Sequence, residues 1–318
     1  MFTIVRNRAI YFALSLMVII PGIIFMVYNT VTLPTHTPWR LGVDFRRGSL
    51  FELHFTQPAT EEKIRAVFSQ FGLNNPTVSQ VGTPSDNTWQ VRTDFLQGAQ
   101  TQNLINALSK QVAPVDQNRS SVSSVSEKIA SEVTRAAIYA VIAATIGILL
   151  FVWYSFRKAP NALRYSVCAI TAMIHDVLVA GGLTAIFSTL FGWEIDSLFL
   201  TAMLTVIGFS VQDTIVVYDR IRENLSRHRG EEFEQIVSRS LVETLHRSLA
   251  ISLTNIFVMT ALLLFGGESI KQFVAVLLIG LVSGTYSSIF NAVPLVVAWQ
   301  ERSLFGRRRR APDAVPAR

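Results

Sequence analysis

The sequence predicts a polytopic α-helical membrane protein with six transmembrane helices and a small α+β ferredoxin-like extracytoplasmic domain between helices 1 and 2. Three observations carry this. Half of the 318 residues are hydrophobic and only 16% are charged, against about 25% in a soluble domain. The apolar residues gather into six runs near or above the ~20 residues that a bilayer-crossing helix needs. One stretch, 35–132, departs from these runs and shows ordinary strand and helix periodicities.

The runs are Ile10–Tyr28, Ala136–Phe156, Ala162–Phe191, Leu198–Tyr218, Leu249–Phe265 and Phe273–Trp299. The first follows Arg6 and Arg8. It reads as an uncleaved anchor, because its apolar run is longer than a signal h-region and Asn29–Pro34 lacks a small-x-small cleavage site. The fifth is short, and Arg247 and Ser248 extend it. Lys and Arg in short loops set the orientation. They flank the first run (Arg6, Arg8), fill the second-to-third loop (Arg157, Lys158, Arg164) and crowd the fourth-to-fifth loop (Arg220, Arg222, Arg227, Arg229, Arg239, Arg247). They return after the sixth run (Arg302, Arg307–Arg310), while Gly192–Asp196 and Gly266–Gln272 hold only Lys271. Both termini are therefore expected in the cytoplasm, and the insert on the other side of the membrane.

The resulting division is 1–34 (N-terminus and helix 1), 35–132 (extracytoplasmic domain), 133–300 (helices 2–6) and 301–318 (basic tail). The net charge of +6 sits beside the spans, so it reads as topology rather than nucleic-acid binding. With one cysteine, Cys168, there is no intrachain disulfide to expect.

Within the insert, Phe51, Leu53 and Phe55 alternate with Glu52 and His54, a strand pattern. Ile64, Val67, Phe68 and Phe71 mark one helix face, ended by Gly72. Thr77–Val81 and Thr88–Thr93 read as strands around a turn at Thr83–Asn87. Leu104, Leu108 and Val112 mark a second helix, and Val115–Val125 is a weak last strand. The order βαββαβ is that of a split βαβ unit. No nucleophile, metal cluster or phosphate loop stands out, so a binding or moving domain is expected.

The chemistry lies in the spans. Asp213 stands in an otherwise nearly uncharged run, where an ionised carboxylate costs about 3 kcal/mol on insertion scales. Such a group is tolerated when it is paired, lines a wet cavity or carries protons. Asp213 and Arg247 lie on consecutive, hence antiparallel, spans and can approach at similar depth. A positive neighbour favours the ionised form and desolvation the neutral one, so the site could load and release a proton. A static ion pair, or Arg247 as a snorkelling anchor, fits the same residues. His175 and Asp176 sit mid-span in the third helix, where a proton relay, an ion site and a polar clasp all fit. Ser248, Ser252 and Asn255 form one stripe on the fifth helix, and Gly280, Gly284, Ser287 and Asn291 another on the sixth. Both read as packing faces, with Gly280–Gly284 a small-xxx-small motif.

These residues resemble a known family. Gly42–Phe45, GVDF, is similar to the Gly-Ile-Asp-Phe box of the SecD/SecF translocase subunits. Ile174–Val177 resembles the family's third-span His-Asp-Val motif. Ile207–Asn224 (IGFSVQDTIVVYDRIREN), Leu264–Glu268 (LFGGE) and Gly280–Phe290 (GLVSGTYSSIF) resemble its SecF-side signatures. The resemblance covers nearly the whole chain. It implies half of an RND-type architecture that pairs with SecD. It also implies assistance to the SecYEG channel after SecA has acted, use of the proton-motive force, and YajC and YidC as further partners. It implies a proton pathway through Asp213 and Arg247. Two departures stand out: Arg46 and Arg47 replace small residues after the GVDF box, and Gln212 replaces an Asn but keeps its amide.

Two other functions predict different sequences or outcomes. A small-molecule efflux half-transporter calls for a second six-span unit and a large drug-binding insert, which this sequence lacks. A purely structural translocon scaffold requires that neutralising Asp213 be harmless. An enzyme is not expected, since no nucleotide loop, metal constellation or triad is apparent, and no cofactor beyond the coupling ion is called for. A carboxylate site serves H⁺ or Na⁺.

Overall fold

The computed structural model describes residues 3–73, 76–81, 86–96, 98–157, 162–228 and 230–301. The basic tail 302–318, Lys158, Arg229 and most of the turn expected at Thr83–Asn87 lie outside the described residues. In chain order the elements begin α1 (Thr3–Arg6), α2 (Arg8–Thr32), β1 (Arg40–Leu41), β2 (Gly48–His54), α3 (Glu61–Gln70), β3 (Thr77–Val81), β4 (Thr88–Thr93), α4 (Gly98–Gln111) and β5 (Ser121–Val125). They continue with α5 (Glu127–Ser155), α6 (Ala162–Phe191), β6 (Glu194–Ile195), α7 (Ser197–Arg227), α8 (Phe233–Phe265), α9 (Glu268–Ser287), a π-turn at Ser288–Ala292 and α10 (Val293–Glu301). Two compact units result: Met1–Arg40 with Ala140–Trp193 and Leu198–Arg318, and Leu41–Tyr139 with Glu194–Ser197.

Among the described residues, six helices are long and apolar enough to cross a membrane: α2, α5, α6, α7, α8 and the stretch Ile270–Glu301. A helix satisfies its own backbone in lipid, which an open strand cannot. The expected spans fall inside these helices, apart from Phe156 just past the end of α5, but the expected fourth-to-fifth loop is mostly helix. α7 runs on to Arg227 and α8 begins at Phe233, so Arg220, Arg222, Arg227, Arg239 and Arg247 are helical. Gly230, at φ +102, takes the left-handed conformation that separates the two. The charged helix ends hold one another. Arg220 Nε donates to Glu243 Oε2 at 2.6 Å, and Asn224 Nδ2 donates to the same oxygen at 2.8 Å.

Close approach of small residues orders the membrane unit. A Cβ built on Gly22 of α2 would meet the Cα of Gly182 of α6 at 2.7 Å. Seven residues further along each helix, Thr189 Oγ1 donates to Asn29 Oδ1 at 2.7 Å, so α2 and α6 run parallel. α7 and the last transmembrane stretch are also parallel. Val206 lies against Gly280, Ser210 lies against Gly284, and the Tyr218 hydroxyl donates to the Ala292 carbonyl at 3.1 Å. That carbonyl belongs to the π-turn. Pro294 offers no N–H and would clash with the carbonyl four residues back, which accounts for a wider turn here. Tyr165, Cys168 and Tyr218 are fully or nearly fully buried in the surrounding core. Arg8, expected to mark topology, is itself buried and pairs with Glu301 at 2.9 Å.

In the second unit, four antiparallel strands run in the order β3-β4-β2-β5, with α3 and α4 as crossovers. Phe51 stands opposite Val91 on one side and Val122 on the other. Phe51, Leu53, Phe55, Ile64, Val67, Phe68, Leu104 and Leu108 are buried as their periodicities require. Phe71 departs from this: it is 38% exposed, because it caps α3 just before Gly72 turns left-handed at φ +79. Only Ser121–Val125 of the expected last strand is a strand, and Val115 makes an isolated bridge to Phe55. The compact unit also runs Leu41–Tyr139 rather than 35–132 and takes in Glu194–Ser197. Asp44 of the GVDF box explains part of that inclusion. Its Oδ2 accepts both the N–H (2.9 Å) and the hydroxyl (2.6 Å) of Ser197, an anion where a helix begins.

Candidate functional site

Among the described residues, two carboxylates fall inside the apolar runs of the membrane-spanning helices, Asp176 and Asp213, in contrasting surroundings. Asp176, on α6, is 0% exposed. Its Oδ1 accepts the Ser283 hydroxyl at 2.7 Å and faces His175 Nδ1 at 2.9 Å. Its Oδ2 accepts the Ser287 hydroxyl at 2.6 Å. An ionised carboxylate only accepts, so with Asp176 charged the His175 proton sits on Nδ1. The three contacts give Asp176 partners on both oxygens at a fully buried position.

Asp213, on α7, is half-buried and receives one long bond, from the Ser252 hydroxyl of α8 to Oδ2 at 3.3 Å. Most of its capacity to accept hydrogen bonds is unused among the described residues. Ser248, one turn before Ser252, is buried and its hydroxyl has no partner among the described residues.

Arg247 is exposed and, among the described residues, makes no hydrogen bond or ion pair. The structure therefore does not bring Arg247 onto Asp213, and Ser252 occupies the nearest donor position. Gln212 is exposed as well, on the face of α7 turned away from the core. His175 and Asp176 do come together, on their own helix and with α9, rather than joining Asp213 directly.

His175 also borders a cavity of about 460 Å³ lined by Leu14, Ser15, Val179, Ser283 and Tyr286 among others. Its ring stacks on Tyr286 at 6.2 Å, while Nε2 is buried without a partner among the described residues. Tyr286 donates its hydroxyl to the Tyr11 carbonyl at 2.8 Å, and Asn291 Nδ2 donates to Ser15 Oγ at 2.9 Å. Polar contacts thus tie α2, α6 and the last transmembrane stretch together.

Serine reading by sequence missed the donors. Ser252 and Ser287 belong to stripes expected only to pack, and Ser283 drew no expectation. Its signal was available: Ser283 and Ser287 are four apart, so both face the same neighbour. No group of three or more His, Cys, Asp or Glu that could hold a metal occurs among the described residues.

With this geometry in hand, comparison with known proteins identifies the lineage. The family described as "Protein export membrane protein SecD/SecF, C-terminal" matches residues 104–302. The protein translocase subunit SecF of Thermobaculum terrenum is 43% identical, with 99% of each chain covered. That of Anaerolinea thermophila is 41% identical, with 94% of each covered. Among solved structures, the crystal structure of SecDF, a translocon-associated membrane protein from Thermus thermophilus, matches with a TM-score of 0.75 and 27% identity. That match covers 93% of this chain and 38% of the longer SecDF chain. From the motifs on its fourth and sixth spans to this full-length similarity, the chain belongs to the SecD/SecF family of protein export membrane proteins.

Proposed function

We propose that this chain is a SecF-type subunit of the Sec translocase, coupling a downhill proton flow to the completion of preprotein export. The observation that carries this is the contrast between its two intramembrane carboxylates. Asp176 is held by three neighbours, whereas Asp213 keeps one weak bond and is half-buried. A carboxylate with few fixed donors can take and lose a proton at little structural cost, and a bilayer protein retains such a group at a steady energetic penalty. In this reading Asp213 is the carrier.

Arg247 stands five positions before Ser252 on α8, about 7.5 Å along the axis. Five residues also turn the helix by about 140° beyond a full turn, so a shift of α8 combined with a rotation would exchange the Ser252 hydroxyl for the guanidinium and drive the proton off Asp213. The chain would act with a SecD partner, beside SecYEG and downstream of SecA, with YajC and YidC as accessory subunits. The proposed setting is the bacterial inner membrane with both termini cytoplasmic. The four-stranded unit, with its split βαβ order, would be the ferredoxin-like extracytoplasmic domain that meets the emerging polypeptide. The role is a transport subunit without catalytic chemistry or bound cofactor, and H⁺ is the coupling ion.

The test is Asp213→Asn in membrane vesicles that carry the whole complex. Export stimulation by the proton gradient should disappear while co-purification with the SecD-type partner persists. Full stimulation in that variant would make the scaffold the right reading. Replacing the H⁺ gradient by a Na⁺ gradient in the same vesicles should not restore export.

A further inference from the structure

α7 and the last transmembrane stretch keep one register over three contacts. Val206 with Gly280, Ser210 with Gly284 and Tyr218 with Ala292 are each 74 positions apart. Parallel helices of equal rise hold such an offset, so Asp213 stands level with Ser287. Ser287 already donates to Asp176.

Ser210 lies three residues before that level, opposite Gly284. It is three positions from Asp213, hence on the same side of α7. It is 1% exposed, and its Cα would be 3.4 Å from a Cβ built on Gly284, between Ser283 and Ser287 on the facing helix. Its hydroxyl has no hydrogen-bond partner among the described residues. A buried hydroxyl without a partner is disfavoured, and it has no bond to break when it turns. Within the apolar runs of the helices packed here the titratable groups are Arg164, Tyr165, Cys168, His175 and Asp176 on α6, Asp213 and Tyr218 on α7 and Tyr286 on α9, with His246 and Arg247 just before the run of α8.

We propose that the Ser210 hydroxyl relays protons between Asp213 and Asp176 by way of Ser287. The idea rests on the proton-carrying role of Asp213 set out above. The protonated Asp213 carboxyl gives its proton to the Ser210 oxygen as Ser210 gives its own to the Ser287 oxygen. Ser287 passes its proton to the ionised Asp176. At each serine oxygen one O–H bond forms and one breaks, so both hydroxyls end neutral. Asp213 is left ionised and Asp176 neutral, with one proton moved across three helices. The hydroxyls then turn back for the next transfer. The contact at Gly284 serves this route by placing the Ser210 backbone beside the helix that carries Ser283 and Ser287.

The experiment measures proton uptake with a pH-sensitive dye in proteoliposomes that hold the full chain and its SecD-type partner, under an imposed membrane potential. Ser210→Ala removes only the hydroxyl and should lower uptake at least tenfold at unchanged yield of the complex. Ser210→Thr keeps the hydroxyl while adding a methyl to a crowded contact, and should recover most of the uptake. A packing role predicts the reverse order, with alanine tolerated and threonine impaired. Wild-type uptake in Ser210→Ala overturns the relay, as does loss in both variants. Asp213→Asn, run in parallel, separates the two ideas. If it abolishes uptake and Ser210→Ala does not, the relay falls and the coupling role stands. If Asp213→Asn keeps its uptake, the coupling role falls and the relay falls with it.

Discussion

Gly22 and Gly182 meet so closely that a Cβ on either would lie 2.7–2.8 Å from the Cα of the other. Apolar side chains gain nothing by leaving lipid for one another, so helix association in a membrane leans on such backbone approach. The contact fixes the parallel register of α2 and α6, and with it the Asn29–Thr189 hydrogen bond. Gly182→Val should therefore push the helices apart, costing about 1–3 kcal/mol as overpacking does. A fall of several degrees in the melting temperature of the detergent-purified protein is the expected result. Gly208, which has open space where its Cβ would go, is the matched control, and Gly208→Ala should leave that temperature nearly unchanged.

The donors around Asp176 predict a compensation. Removing Ser283 and Ser287 hydroxyls together leaves a buried carboxylate with His175 alone, and an unsatisfied buried acceptor costs about 1–3 kcal/mol. Ser283→Ala/Ser287→Ala should lower thermal stability accordingly. Adding Asp176→Asn to that pair should return part of the loss, since burying a neutral amide short of partners costs less than burying a charge. Additive losses in the triple variant would show that the serines act through packing.

Tyr218 tests the π-turn. Its hydroxyl donates to the Ala292 carbonyl within the widened turn before Pro294. Tyr218→Phe keeps the ring contacts with Phe156 and Tyr165 and removes only this bond, at a cost of about 1 kcal/mol. Faster amide hydrogen exchange confined to the residues after Pro294 is the expected signature, and unchanged exchange there would mean that the carbonyl is satisfied without the tyrosine.

In the α+β unit, Phe51 and Phe68 meet edge to face with ring centroids 5.3 Å apart and planes at 88°. Both are fully buried. Phe51→Ala should cost about 3–5 kcal/mol, a large share of what so small a core supplies. Limited proteolysis of the full-length protein should then cut within 48–125 while sparing the membrane helices.

Arg247 separates function from stability. It is exposed and makes no hydrogen bond or ion pair among the described residues, so Arg247→Met should alter thermal stability by no more than ~0.5 kcal/mol. If it serves as the charge that expels the Asp213 proton, export and proton uptake should nevertheless fall by an order of magnitude. Activity at the wild-type level would mark it as a membrane-interface anchor.

The sequence alone determined the class, the six apolar helices and the order of elements in the insert. Those features follow from hydrophobic length and period, which act locally: Phe51 and Leu53 point one way because strand residues alternate, wherever the strand is placed. It also singled out Asp213, His175 and Asp176, because a charge in an apolar run is anomalous whatever its neighbours. Partners are another matter, since a hydrogen bond between helices depends on rotation and register that no local pattern encodes. Depth placed Arg247 beside Asp213, yet the rotation of α8 turns Ser252 there instead. Ser287 and Asn291 read as packing, yet they hold Asp176 and Ser15. The extent of α7 and α8 beyond the apolar runs, the π-turn at Ser288–Ala292 and the Asp44–Ser197 contact likewise emerge only when the helices are packed. In a membrane, where burial itself selects no particular face, close glycine contacts and a few buried polar bonds set those rotations.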